Sequence, residues 1–296
     1  MLERFISQIA QQWKCTICIG TGNEGNSGKH KQGKLIKEEQ KILLDIAPFE
    51  QNLNLQIWKD FVDELRIQLE SPSGISYEIT DQQGKSQYSY GNTIVFVYNG
   101  YPTPYNVRQE IFLSFIVQEG NHIESGQWNL TLIPRNIRNG EYQMWLPVSL
   151  GSNQETRFLE PDKEFTLTIP STAENVISAG AYDVRYQSYA DFSGRGDQRY
   201  GVKKPDLVAP GVGILAAAPG GGENSLSGTS MATPFVTGSA ALLMEWGIIR
   251  KNDPYLYGER IKAYFHKGAR KMNGFLDYPN NEIGYGKLCV AASLYK

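Results

Sequence analysis

Residues 228 to 234 read Gly-Thr-Ser-Met-Ala-Thr-Pro, between a glycine-rich stretch and a small-residue apolar segment. Those flanks predict a loop followed by a helix, which puts the hydroxyl of Ser230 at a helix N-terminus. A serine so placed is a candidate nucleophile for acyl transfer. That chemistry also needs a base for the serine proton, donors for the oxyanion and a pocket for the side chain beside the scissile bond. Gly228 allows close backbone approach, and the helix directs its positive end and unpaired N–H groups toward the reacting atom. Pro234 is expected in the first helical turn, where an N–H has no intrahelical partner to lose. Ala232, Gly238, Ala240 and Ala241 predict a helix thin enough to be buried on several sides.

The elements that must position Ser230 fall into three segments. Residues 1–33 read as an amphipathic helix to Trp13, a buried strand from Cys15 to Thr21 and a glycine-rich loop, Gly22 to Gly28. Residues 34–163 alternate apolar and polar positions in short runs: Leu53, Leu55 and Ile57; Leu65, Ile67 and Leu69; Trp128, Leu130 and Leu132; Tyr142, Met144 and Leu146. Turn signals such as Ser71-Pro72-Ser73-Gly74 and Arg138-Asn139-Gly140 separate them, which predicts an antiparallel β-sandwich, in the form of a jelly roll. Residues 164–296 return to α/β texture, with strands at Phe165–Ile169, Val176–Ala181 and Leu207–Ala209, the helix after Ser230 and a C-terminal helix around Glu259–Lys267. The expected fold class is α/β, a parallel-sheet domain interrupted by the sandwich. Two nearby ends of one loop would make such an insertion tolerable.

The text around Ser230, Lys204-Pro205-Asp206-Leu207-Val208-Ala209-Pro210-Gly211-Val212 before it and Phe235-Val236-Thr237-Gly238-Ser239-Ala240-Ala241-Leu242-Leu243 after it, closely resembles the nucleophile region of the subtilisin-like serine proteases. Thr21-Gly22-Asn23-Glu24-Gly25 matches the family's strand-end Gly-Asn motif. The resemblance implies that Asn23 supplies a side-chain N–H to the oxyanion hole, a donor whose loss in a subtilisin costs roughly 10²- to 10³-fold in rate. Further matches run through Thr168-Ile169-Pro170, Glu174 to Asp183 and Phe192-Ser193-Gly194-Arg195-Gly196. They imply a cis Ile169–Pro170 bond, Thr168 near the floor of the S1 pocket, and substrate binding by Gly20, Thr21, Gly22, Thr168 and Thr229. The implied architecture is part of the three-layer subtilisin-like domain.

The family's base lies in a His-Gly-Thr-His-type motif and its orienting aspartate in an Asp-Ser/Thr-Gly motif, and neither occurs here. His30, His122 and His266 are expected to be surface or locally hydrogen-bonded residues. The chain alone is therefore expected to be inactive, with a polypeptide substrate and a missing N-terminal portion carrying the triad aspartate and histidine as its partners. A jelly roll just after the oxyanion loop resembles the clostridial Csp-type germination proteases. That resemblance implies a cytoplasmic or spore-associated place and either of two functions, a serine endopeptidase or a noncatalytic regulatory pseudoprotease of the same fold.

Composition narrows the remaining classes. A formal net charge of −2 and no long Lys/Arg run argue against a general nucleic-acid surface. No apolar stretch is read as long enough to cross a membrane, and the N-terminal residues do not read as a signal peptide. Cys15 and Cys18 form a CxxC inside an apolar run and are expected to be buried core thiols, so no metal or cofactor is called for. Trp58, Trp128 and Trp145 suggest a further alternative, a carbohydrate-binding role for the sandwich.

Overall fold

The computed structural model describes residues 2–80, 84–103, 106–148, 151–197 and 204–294. Contacts divide the chain into two compact units, Met1–Asn26 with Lys163–Lys296, and Ser27–Asp162.

The first unit opens with helix α1 (Leu2–Gln12) and strand β1 (Cys18–Gly20). The strand is shorter than its apolar run predicts. Cys15 follows the helix instead of entering the sheet, and Cys15 and Cys18 are half-buried, not core, thiols.

The second unit contains β2 (His30–Lys34), β3 (Gln40–Ile46), β4 (Asn52–Asp60), β5 (Glu64–Glu70), β6 (Ser76–Thr80), β7 (Gly84–Tyr90), β8 (Thr93–Asn99), β9 (Arg108–Val117), β10 (Gly126–Asn136), β11 (Glu141–Trp145) and β12 (Arg157–Phe158). Among the described residues they form two antiparallel sheets, one ordered β12-β3-β10-β5-β6 and the other β2-β11-β4-β9-β8-β7. Every apolar position of the alternating runs is buried in one core between them, so period-two patterning sets the register of each strand.

Trp128 is fully buried in that core, edge-on to Tyr90 and Phe115, while Trp145 stacks on His30 and Trp58 is half exposed. The three tryptophans therefore make no common platform. Buried Asp63 closes the turn after β10: its carboxylate accepts the backbone N–H groups of Arg138 (2.6 Å), Asn139 (2.9 Å) and Gly140 (2.7 Å). Asp63→Ala strands those donors, and we expect a loss of about 1–3 kcal/mol. Urea unfolding followed by Trp fluorescence checks this; an unchanged midpoint would rule it out.

The first unit resumes with β13 (Ile177–Asp183), β14 (Ser188–Tyr189), β15 (Leu207–Pro210) and the hairpin β16 (Ile214–Ala217) and β17 (Glu223–Leu226). It ends with helices α2 (Thr229–Met244), α3 (Glu259–Gly268) and α4 (Val290–Leu294). Strands β1 and β15 flank β13, both parallel to it, and β14 pairs with it antiparallel. The strand expected at Phe165–Ile169 is irregular chain instead, with Phe165 at positive φ. Ile169–Pro170 is cis, as the resemblance implied, and so are Lys204–Pro205 and Tyr278–Pro279.

Helix α2 packs Ala232, Val236, Ala240 and Leu243 toward the sheet residues Ala179, Ala181 and Leu207. It is buried on one side only: Pro234, Phe235, Thr237, Gly238, Ala241 and Leu242 are exposed. A π-helical turn, Glu245–Ile249, extends it. The resulting 21 residues are long and apolar enough, by length and composition alone, to cross a membrane, which corrects the reading from sequence. One side of it packs against β13 and β15.

Candidate functional site

Asn23 and Thr229 meet at the start of α2, and Ser230 is the next residue of that helix. Gly228 occupies the position before the helix with φ 152° and ψ 162°, and its N–H donates to the carbonyl of Gly211 (2.8 Å). A side chain there would press on Asn23, since a Cβ would lie 3.2 Å from Nδ2. From Gly228 the chain turns into the helix, which leaves the side chain of Ser230 exposed in its first turn.

Asn23 is oriented by Thr229. The backbone N–H of Thr229 donates to Asn23 Oδ1 (2.9 Å), and its hydroxyl donates to the same oxygen (3.2 Å). That hydroxyl also accepts the N–H of Gly22 (3.1 Å). With both donors on its oxygen, the carboxamide can present only its NH₂ group elsewhere. Nδ2 has no partner among the described residues. Thr229 is itself buried, while Asn23 is exposed.

Gly20 and Gly22 are needed for this approach. A Cβ on Gly20 would stand 2.9 Å from Thr229 Oγ1, and one on Gly22, at φ 92°, would collide with the side chain of Thr168. Thr21 is buried between them, its N–H donating to Ala179 (3.1 Å) and its carbonyl accepting from Thr168 N–H (3.0 Å). The carbonyl of Gly22 accepts from Gly194 N–H (3.0 Å). Of the five expected substrate contacts, Thr21 and Thr229 are therefore internal. Gly20 lines an open cleft and Thr168 is half-buried.

The cleft beside Ser230 has a volume of about 580 Å³ and is walled by β1 (Cys18, Ile19, Gly20) and by Thr233, Pro234, Thr237 and Gly238 of α2. Burial pushes the Cys18 thiol up, partly offset by a hydrogen bond from Thr237. Pro234 is the sixth residue of α2, one turn later than expected. It has no N–H to give the carbonyl of Ser230, four residues back, so that oxygen is left out of the helical ladder.

None of the three histidines lies along this cleft. His30 sits in the sandwich with Nε2 2.6 Å from Gln143 Oε1, and His122 packs edge-on against Phe49. His266 Nε2 lies 3.1 Å from Asp206 Oδ1, and its ring stacks on Tyr285 at 3.8 Å. Among the described residues no group of three or more His, Cys, Asp or Glu is arranged to hold a metal ion.

Sequence reasoning missed the centre around Asp206. This buried carboxylate accepts Ser178 N–H (2.7 Å) and Ser178 Oγ–H (2.9 Å), with Lys204 Nζ at 3.3 Å and Lys262 Nζ at 3.4 Å. Burial pushes its pKa up, but the His266 hydrogen bond and the two ammonium groups outweigh that and hold it well below the usual carboxylate range. The Lys204 ammonium is pushed down by burial and held up by Asp206. An Asp two residues after a Lys, immediately before an apolar strand, was the available signal.

The profile of the subtilase family (Peptidase S8) matches residues 125–286, more than half of the chain. The chain belongs to the subtilase family. Among solved structures, the Clostridium perfringens CspB protease is similar over 99% of this chain, with a TM-score of 0.91 and 39% identity, and 61% of that protein is covered. The serine protease AprX of Bacillus subtilis is 33% identical over 131 residues, which is 38% of this chain and 28% of AprX. The intracellular serine protease of Paenibacillus polymyxa is 36% identical over 119 residues, 38% of this chain and 34% of that protein. This subtilase chain thus spans less than two thirds of CspB and about a third of the two curated relatives.

Proposed function

We propose that this subtilase chain carries the nucleophile and the oxyanion donor of a serine endopeptidase, with Ser230 attacking the peptide carbonyl. The observation that carries the reading is the doubly bound Asn23 oxygen, which directs Nδ2 away from Thr229. In the reaction, Ser230 Oγ bonds to the carbonyl carbon while its proton passes to an imidazole. Asn23 Nδ2–H and the N–H groups at the head of α2 hold the oxyanion. The C–N bond then breaks, the amine leaves with the imidazole's proton, and water hydrolyses the acyl-enzyme by the same steps in reverse order. Gly20 and Thr168 would contact substrate, Thr168 making a shallow, partly polar S1 pocket, while Thr21, Gly22 and Thr229 position them.

The imidazole and its aspartate are supplied, in this reading, by a polypeptide segment seated on β1 and the exposed side of α2. The cleft between those elements, where β1 has β13 on one side and no strand paired on the other among the described residues, supports that arrangement. The interrupting unit, whose chain crosses between two sheets from β3 to β4 to β5, is read as the jelly-roll insertion of the Csp-type proteases. On that likeness we place the protein in spore germination.

A fluorophosphonate probe tests the assignment. Ser230 should be labelled when the segment bearing His and Asp is joined to this chain, and hardly at all without it. Absence of label from the joined protein would sink the reading. It would favour a noncatalytic regulatory role, in which Ser230→Ala leaves the biological function intact.

A further inference from the structure

The two outer faces of the sandwich differ in chemistry. On the sheet containing β3, β5 and β10, residues turned away from the core include Lys41, Glu64, Arg66, Gln68 and Glu70, a charged and hydrated set. The sheet containing β4, β9, β8 and β7 carries aromatic rings there instead. Gln56, Phe112, Tyr98 and Lys85 stand side by side in one row across the four strands, and Asn54, Ser114, Phe96 and Gln87 in the next. Strands lie about 4.8 Å apart, so each row runs roughly 14 Å. Phe96 is 41% exposed and Tyr98 45%, and Trp58, less exposed than either, lies two residues along β4 from Gln56.

The charges of this face are few. Lys85 Nζ stands 5.9 Å from the centre of the Tyr98 ring. At the rim, Arg108 is 3.8 Å from Asp60 and 3.6 Å from Glu141. Glu110, paired across the strands with Trp58, has its carboxyl pushed up by burial. A polyanion would find no cluster of cations here. A purely apolar partner would leave the amides of Asn54, Gln56 and Gln87 desolvated without hydrogen bonds. The complement of aromatic rings flanked by uncharged amides is an uncharged ligand with apolar faces and a hydroxylated edge.

We propose that this face binds a neutral β-linked glycan chain, Trp58, Phe112, Tyr98 and Phe96 stacking on the sugar faces while Gln56 and Gln87 hydrogen-bond to hydroxyls. Aromatic side chains suit this role because they offer a rigid apolar surface at low entropic cost. The site is separate from peptide hydrolysis, so it stands whether or not Ser230 is the nucleophile.

Affinity electrophoresis of the full chain through hydroxyethyl cellulose, with calorimetry against N-acetylchitohexaose, tests the proposal. Retention by one of these two neutral probes is expected, with a dissociation constant below about 1 mM. Trp58→Ala and Tyr98→Ala should each weaken it at least fivefold, and Gln68→Ala on the opposite face should leave it unchanged. If either aromatic variant fails to fold, Phe96→Ala and Gln56→Ala, at exposed positions, read the same surface. The proposal is overturned if neither probe binds, if the face variants bind like the parent, or if heparin binds more tightly than both.

Discussion

If the proposed mechanism is right, then in this chain joined to a segment bearing His and Asp, Ser230→Ala should lower kcat by on the order of 10⁶-fold, the loss known when a subtilisin loses its nucleophile. Asn23→Ala should lower kcat by roughly 10²- to 10³-fold and leave KM almost unchanged. The split follows from when each contact forms. In the proposed mechanism the Asn23 amide meets an oxygen that carries charge only in the transition state, so its removal is felt in turnover and hardly in ground-state binding. Asn23→Ala also takes the cap off the Thr229 N–H, so loss of an N-cap, about 1 kcal/mol, should appear in stability. Steady-state kinetics on a chromogenic peptide separates the outcomes. Equal losses from the two variants, or an Asn23 variant that changes only KM, would exclude the assigned roles.

The second large effect concerns Asp206. Its removal leaves the buried ammonium of Lys204 and the Ser178 donors without their shared acceptor, a loss expected at about 3–5 kcal/mol for Asp206→Ala. Lys204, already pushed down by burial, can escape part of that cost by releasing its proton. The pH dependence has a definite sign. The folded carboxyl is held below the unfolded value near 3.9, so its contribution is complete above about pH 4 and shrinks as the pH falls toward the folded value. Parent and variant should therefore differ most at neutral pH and converge in acid. Guanidinium unfolding at pH 7 and pH 3 measures both; a difference below 1 kcal/mol at pH 7, or one unchanged at pH 3, would contradict the account.

Sequence made the sandwich core legible because alternation alone decides which side of a strand is buried. Leu53, Leu55 and Ile57 needed no other information. Strand β2 was illegible for the converse reason: His30-Lys31-Gln32-Gly33-Lys34 carries no apolar period, and pairing with β11 makes it a strand. The run Cys15 to Thr21 promised a longer strand than β1, because hydrophobicity reports a buried surface but not which neighbour covers it. At the site, the heptad around Ser230 and the Gly-Asn pair could be read directly. The hold of Thr229 on Asn23 could not, since it joins groups 206 positions apart. Pro234 was misplaced by a turn because helix starts are set by caps, and the cap here comes from that distant asparagine.

That distance bears on how the protein reaches its native state. The segments by which the chain enters and leaves the Ser27–Asp162 unit are hydrogen-bonded to each other: Phe158 N–H donates to the Gly28 carbonyl (2.9 Å), and Asp162 N–H donates to that of His30 (2.9 Å). Bringing together the ends of so long a disordered loop costs on the order of 4 kcal/mol in chain entropy. Once the intervening unit has folded, its two ends are already clipped together, and the segments carrying Asn23 and Ser230 are joined through a short tether in place of a long loop.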